Sequence, residues 1–429
     1  MKKVLLSLLA ILLLMNLGNA QAFQWQYDTT FFVGTLPHGV VVDPEGKVWI
    51  GQYYQPDVLD NGVKASGIRV FNPDGTEASF SPIVTFTIDG VADTLKERNR
   101  GLALDQNGNV IASSGYLYRF NYQTGEAMDK YDFLGEGVTA LTKAAVDQNG
   151  YIYVAKVVPG GSPIVILDQN FELYNFAVDT NKYLSRALEV SPDGKELYQA
   201  DLLGGGVIHY HSDDGPDGAY SLVDSITPDP NRAYKANCVD WDPAGHLWAG
   251  THYQSDIKAW YAFDPTTKGI VDSIGTVVGQ IFGSPSPNDT IYSPRGIAFW
   301  EDTVNGRWVA YVVDFDGHNV KKYVNNNPWT GIIKVDNGNV FIKDFNLAQN
   351  YPNPFNPTTT IPFVINKAAH VELNVYDVSG KLVKTLLNQR LEPGRYEVSF
   401  DAGNLASGVY FYRLIFDGKV QTRRMTLMK

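Results

Sequence analysis

Cysteine is almost missing from this chain: Cys238 stands alone among 429 residues. A single thiol excludes an intramolecular disulfide and any cysteine-based zinc site. Cys238 lies in an apolar run and reads as a buried, inert thiol rather than a nucleophile. Basic charge is also short, with Lys+Arg 35 against Asp+Glu 46 and a net charge of −11. Phosphate neutralisation needs the opposite balance, so no nucleic-acid partner is expected. The sequence has no Gly-x-Ser-x-Gly, His-Glu-x-x-His, Walker A or dinucleotide fingerprint. The acidic turn Asp213-Asp-Gly-Pro-Asp-Gly218 lacks the ligand spacing of a calcium loop and reads as solvated. Of seven histidines only His209 and His211 are close, and alternation puts both on one face of a strand as a surface pair.

Apolar runs are short too. Val4–Leu14, behind Lys2 and Lys3, is too short to span a bilayer comfortably. Ala20-Gln21-Ala22 fits a small-x-small cleavage site, so residues 1–22 read as a secretory signal peptide. No transmembrane segment is expected once it is removed.

What the chain has is repetition. Leu36-Pro-His-Gly-Val-Val-Val-Asp-Pro-Glu-Gly-Lys-Val-Trp-Ile-Gly51 is a strand, a tight Asp-x-x-Gly turn and a second strand. Copies follow at Gly101, Lys143, Ala187 and Cys238, with a looser one at Gly296, in steps of 42 to 62 residues. That is near or above the period of about 40–50 residues of four-stranded propeller blades. Asp or Ser caps each turn and Gly accepts positive φ. Fourth strands are expected at Ile83–Ile88, Ala127–Phe133, Glu172–Val178, Ser221–Ile226 and Ile270–Val277. The last copy has none before Asn325. Gln24–Val33 precedes the first repeat, alternates like a strand, and would close the ring as the outer strand of the last blade.

Gly39-Val-Val-Val-Asp43, Val48-Trp-Ile-Gly51 and Ile68-Arg-Val-Phe71 resemble the NHL repeat and the six-bladed propeller superfamily that includes the gluconolactonase type. Residues 23–324 are accordingly expected to form a six-bladed β-propeller. Residues 325–344, with Asn-Pro and Asn-Gly turns, read as a linker. Residues 345–429 carry short strands between Gly turns, the pattern of a small β-sandwich. Within them Asn350-Tyr-Pro-Asn-Pro-Phe-Asn-Pro357, Val375-Tyr-Asp-Val-Ser-Gly380, Leu405-Ala-Ser-Gly-Val-Tyr-Phe411 and the Lys429 end resemble the sorting domain of type IX secretion cargo. That resemblance implies an Ig-like sandwich read by an outer-membrane translocon, and a chain secreted or attached to the outer cell surface. The fold class is therefore all-β: a six-bladed β-propeller followed by a small Ig-like β-sandwich.

Propeller ligands usually meet the loops that lead into the inner strands. The residue before each inner strand is His38, Arg100, Thr142, Arg186, Asn237 or Arg295, and Lys143 follows Thr142. Arginines, a lysine and a histidine facing one mouth would suit an anion, since guanidinium holds carboxylate or phosphate bidentately. Asp201 and Asp314 end the second strands of the same blades and offer an alternative, pairing with Arg186 and Arg295. Gly51-Gln-Tyr-Tyr-Gln-Pro-Asp57 and Gly250-Thr-His-Tyr-Gln-Ser-Asp256 are related runs on the same side. Tyr53, Tyr54, His252 and Tyr253 would either wall a ring-shaped ligand or pack between blades.

The lactonase resemblance implies a channel metal held by Glu, Asn and Asp. Here His38, Arg186 and Asn237 occupy those columns, and cations at the mouth oppose a divalent ion. No cofactor is expected. The leading expectation is a binding or interaction protein with its site at the mouth, for an unidentified small molecule or protein. The alternatives are an extracellular hydrolase or lyase acting on a lactone, ester or sugar, and a structural surface component.

Overall fold

A computed structural model describes residues 25–325, 332–334 and 346–429, apart from Thr35 and short stretches at 55–56, 60–61, 138–139, 159, 243–244, 279–285, 303–304, 306, 348–349, 351–352, 366–368, 392–393 and 417. Residues 1–24, which hold the expected signal peptide, and most of 325–344 lie outside them. No described helix is long and apolar enough to cross a membrane.

Alternating small and branched residues fold into antiparallel blades. Blade one has Pro37–Val42, Val48–Gln52 and Ile68–Phe71. Blade two runs Leu102–Leu104, Val110–Ser114, Tyr116–Phe120 and Ala127–Tyr131. Blade three runs Ala145–Val146, Ile152–Ala155, Ser162–Leu167 and Leu173–Asn181. Blade four runs Ser185–Val190, Glu196–Asp201, Gly206–His211 and Ser221–Ile226. Blade five runs Ala236–Trp241, Leu247–Thr251, Trp260–Phe263 and Ile270–Ser273. Blade six runs Pro294–Asp302, Arg307–Asp314 and Asn319–Asn325, and its fourth strand is Gln26–Val33. Register runs from Gln26 opposite Val324 to Val33 opposite Asn319. The start of the described chain thus supplies the outer edge of the last blade.

The cores lie between blades and run round the ring. Val41 and Trp49 pack with Leu102 and Tyr118, and Ile111 with Val154 and Val165. Tyr153 packs with Leu188 and Tyr210, and Tyr198 with Val239. Trp248 packs with Ile297 and Val312, and Val40 with Ala298 and Tyr311, which returns to blade one. Near the axis the backbones crowd: a Cβ on Gly39 would stand 2.7 Å from the Leu102 nitrogen.

The turns follow the sequence pattern. Asp43 accepts the backbone N–H groups of Glu45 and Lys47, and its other oxygen takes the buried Trp49 indole N–H at 2.9 Å. Asp242 does the same for His246 and Trp248. Two outer strands differ from expectation. Asp89-Gly90, both at positive φ, folds Thr85–Ile88 onto Val91–Thr94 as a separate hairpin, so blade one keeps isolated bridges, Ile68 to Ile83 and Phe71 to Glu77, in place of a fourth strand. Asp-Gly is a strong hairpin turn. In blade five the strand stops at Ser273, Gly275 has positive φ, and Thr276–Val277 pairs in parallel with Thr290–Ile291.

Two further sheets form the C-terminal sandwich. One orders Ile332–Lys334, Gly394–Asp401, Thr358–Ile365 and Asn346–Leu347; the other orders Leu382–Leu391, Ala369–Tyr376, Gly408–Phe416 and Lys419–Leu427. Phe363, Phe400, Tyr412 and Leu414 share their core. Ile332–Lys334, within the stretch read as linker, is an edge strand of this unit.

Candidate functional site at the propeller mouth

A register shift recurs at the start of four inner strands. It falls between Pro37 and Gly39, Ser185 and Leu188, Ala236 and Cys238, and Pro294 and Gly296. His38, Arg186, Asn237 and Arg295 sit in these shifts. A bulge leaves a residue out of the ladder and re-aims its side chain. The regular sheet packs between blades, while the bulged residues are freed from that packing.

Five expected residues, His38, Arg100, Arg186, Asn237 and Arg295, gather about the Tyr53 and Phe315 rings. Tyr53 stacks on His38 with ring centres 5.3 Å apart, and Phe315 meets both rings edge-on at 5.6 and 5.2 Å. The Arg295 guanidinium lies 4.4 Å from the Phe315 ring centre and donates to Asn237 Oδ1 at 2.7 Å. Arg98 and Arg100 each lie 5.1 Å from the centre of the Tyr53 ring. Arg98 donates to the Tyr53 hydroxyl at 3.4 Å, and Arg100 and Arg186 act on the same phenol electrostatically. Arg98 and Phe315 were not among the expected residues. Arg98 lies two residues before the repeat column and Phe315 just beyond a strand end, so alignment of the repeats does not single them out.

The arginines of this group lack, among the described residues, a carboxylate in direct contact, although Asp316 acts on Arg295 electrostatically. Among the described residues no carboxylate forms an ion pair with Arg100, Arg186 or Arg295, whereas Arg69, Arg119 and Arg307 each have one. The Nε atoms of Arg100, Arg186 and Arg295 are buried without a hydrogen-bond partner, as are both ring nitrogens of His38. The pairing alternative is corrected by the backbone. Asp201 accepts from the N–H groups of Leu184, Leu203 and Gly205. Asp314 accepts from those of Tyr292, Ser293 and Gly317 and from the Ser286 hydroxyl. Both aspartates are committed to holding turns.

Burial, then Arg295 and Arg100, pull Arg186 down to about 9. Burial takes Arg295 down to about 10, against the opposing pull of Asp316. Burial followed by Arg295, Arg100 and Arg186 holds His38 well below the ordinary imidazole range. Burial, then Arg295 and Arg186, takes His252 to about 3. Burial works to raise the Tyr53 hydroxyl, but Arg100, Arg98 and Arg186 outweigh it and hold it below its usual value. These directions are what buried like charges produce.

Lys143 does not join this group. Its ammonium pairs with Glu189 and, at 2.9 Å, with Asp240, and donates to the Val239 carbonyl at 3.3 Å. Burial works against its charge, but Asp240 and Glu189 raise its pKa above the ordinary lysine value. Thr142 is likewise structural, its hydroxyl accepting from Ala155 N–H at 3.1 Å. His252 contacts Tyr253 at 4.1 Å between ring centres and feels Arg295 and Arg186 from the far side of the mouth. Tyr54 is about half exposed, 5.6 Å from Tyr53 and under Arg98. Cys238 is buried, and burial raises its thiol pKa. His209 and His211 share one strand face, both bound to Glu196. Among the described residues no three His, Cys, Asp or Glu side chains are grouped to hold a metal ion.

Residues 349–428 match the family described as the secretion system C-terminal sorting domain. Several solved structures resemble the chain. A calcium-binding protein titled regucalcin from Agrobacterium tumefaciens is 12% identical, covering 71% of this chain and 96% of its own, with a TM-score of 0.46. An auxiliary nutrient binding protein from Bacteroides ovatus is 14% identical, covering 71% and 74%, with a TM-score of 0.46. The periplasmic gluconolactonase of Pseudomonas aeruginosa is 11% identical, covering 84% and 88%, with a TM-score of 0.39. No curated protein matches the chain at a significant level. The blades and the matched tail together make this a β-propeller protein that leaves the cell by the type IX secretion route, its C-terminal sorting domain being the part the secretion machinery recognises.

Proposed function

We propose that the propeller is a binding module whose mouth holds a small anion, carried outside the cell by the sorting domain. One observation carries this reading: among the described residues Arg100, Arg186 and Arg295 have buried Nε atoms without a hydrogen-bond partner and no carboxylate ion pair, and Arg186 and Arg295 sit in the bulges that start their strands. Holding cations together out of water costs free energy unless an anion completes the group. Guanidinium supplies forked donors to carboxylate, phosphate or sulfate. The test is calorimetric titration of the full chain with acetate, phosphate and sulfate. Binding by the native protein and none by an Arg100→Gln, Arg186→Gln, Arg295→Gln triple variant is the expected result. Equal heats from both proteins would remove the proposal.

A second reading, an extracellular hydrolase or lyase acting on a lactone, ester or sugar, has its own support. His38 is kept neutral with two unpartnered nitrogens, and it stacks on a tyrosine of lowered pKa. A neutral imidazole beside a phenol places a proton acceptor and a proton donor side by side. Turnover on a lactone, ester and sugar panel that disappears in Tyr53→Phe would establish it. Absence of turnover from a protein that binds anions leaves the binding reading in place.

A further inference from the structure

We infer that the anion taken at the mouth is the acid group of a sugar ring, a uronic acid or a sulfated pyranose, with the ring lying against Tyr54. This rests on the anion reading above and adds the body that carries the charge. The arginines alone would serve inorganic phosphate equally well, so the inference turns on what surrounds them.

The faces of Tyr53 are already in use. His38 stacks on the ring, and Arg98 and Arg100 stand over it. Phe315 is taken by Arg295 and packs edge-on to Tyr53. Tyr54 is different. It meets Tyr53 at 84°, so its plane turns away from the stack, and it stays 49% exposed. The largest buried aromatics of the propeller, Trp49, Trp248 and Trp260, sit in the inter-blade cores. An exposed aromatic one ring away from a cationic cluster therefore stands apart from the packing of the fold.

An aromatic face favours the apolar C–H side of a pyranose, and an aromatic with a polar handle suits a ligand that is wet on its other side. Tyr53 carries Arg98 and Arg100 at 5.1 Å from its ring centre and adjoins Tyr54 at 5.6 Å, so a sugar ring on Tyr54 would hold its acid substituent one ring away from these guanidinium groups. Arg98, between the two tyrosines, is placed to reach a hydroxyl or a second acid oxygen. The ligand then has two requirements: an acid group for the arginines and a ring for Tyr54.

The experiment is calorimetry on the full chain with glucuronate, glucose 6-sulfate, glucose, acetate and inorganic phosphate, repeated on Tyr54→Ala. Tyr54 is exposed, so this variant leaves the core intact. The expected result is that at least one acid sugar binds more tightly than glucose and acetate. Tyr54→Ala should weaken that binding about tenfold and leave acetate and phosphate unchanged. Phosphate or acetate binding as tightly as the acid sugars, or an acid-sugar affinity untouched in Tyr54→Ala, overturns the inference while the anion site stands. If none of the anions binds, both readings fall.

Discussion

Lys143 and Arg186 are neighbours across adjacent inner strands, the Lys143 N–H donating to the Arg186 carbonyl at 3.2 Å. Their side chains meet opposite fates. Lys143 is only 7% exposed, and the acids of two other inner strands close on it, Glu189 and Asp240. Among the described residues Arg186 has no carboxylate ion pair, and it feels two more arginines, Arg295 and Arg100. Two adjacent columns of the repeat therefore yield a charge satisfied within the fold, at Lys143 opposite Ala187, and a charge left for something outside it, at Arg186. What separates them is the supply of carboxylates. Glu189 and Asp240 lie within inner strands and are free to turn toward the axis, whereas Asp201 and Asp314 stand at strand ends where turn N–H groups claim them.

The comparison is open to attack at several points. The largest effect is expected from Lys143→Met, which leaves two acids buried without their cation. Breaking a buried pair in this way costs about 3–5 kcal/mol. Chemical denaturation reads it, and a loss under about 1 kcal/mol would show the Lys143 group to be dispensable. Next, Arg186→Gln and Arg295→Gln should each lower anion affinity about tenfold or more, because a charge-assisted hydrogen bond is lost. Titration calorimetry measures this, and an unchanged affinity would make the arginines structural after all.

A smaller effect has the opposite sign from the first. Arg186→Met, in the absence of any ligand, should raise stability by about 0.5–2 kcal/mol, because it removes a buried charge that repels its neighbours. A lower melting temperature for this variant would mean that Arg186 is already compensated. The last effect is a dependence on acid, read as a slope against pH. His252 has a folded pKa of about 3 against an ordinary 6.5, with Arg295, Arg186, Lys235 and Lys258 facing it. Between those values the unfolded chain takes up a proton that the folded chain refuses. Stability should therefore fall as pH drops below about 6.5, and His252→Gln should flatten that slope. Parallel melting curves from pH 7 to 4 check it; identical slopes would remove the cationic field at His252.

Much of the architecture could be read from the repeats, because an Asp-x-x-Gly turn and an alternating strand are local. The same turn aspartate also fixes a tryptophan six residues on, as Asp43 does Trp49 and Asp242 does Trp248. That spacing was visible in the sequence but has no meaning until the second strand folds back. The Asp89-Gly90 hairpin was legible too, and it outweighed the fourth strand expected for blade one. The column of site residues was legible as a column, and His38, Arg100, Arg186, Asn237 and Arg295 do gather. Lys143 belongs elsewhere because Asp240, far off in the chain, reaches it across the axis. Partner choice among charges depends on which backbone groups compete for each carboxylate, and a linear pattern of residue types does not contain that competition. Phe315 and Arg98 entered for the same reason, through proximity created by ring closure.

The seam between Gln26–Val33 and Asn319–Asn325 has a consequence for how the molecule is made. The two sides of that joint are nearly three hundred residues apart, and the first is synthesised long before the second exists. Until Asn325 has emerged, blade six lacks its third strand and the early segment has nothing to zip onto. A prematurely terminated product would display two raw sheet edges, the kind of surface that recruits other chains. Loss of a few residues from the front of the propeller would open the same joint as a truncation behind it, so completeness of both ends is checked by a single row of hydrogen bonds.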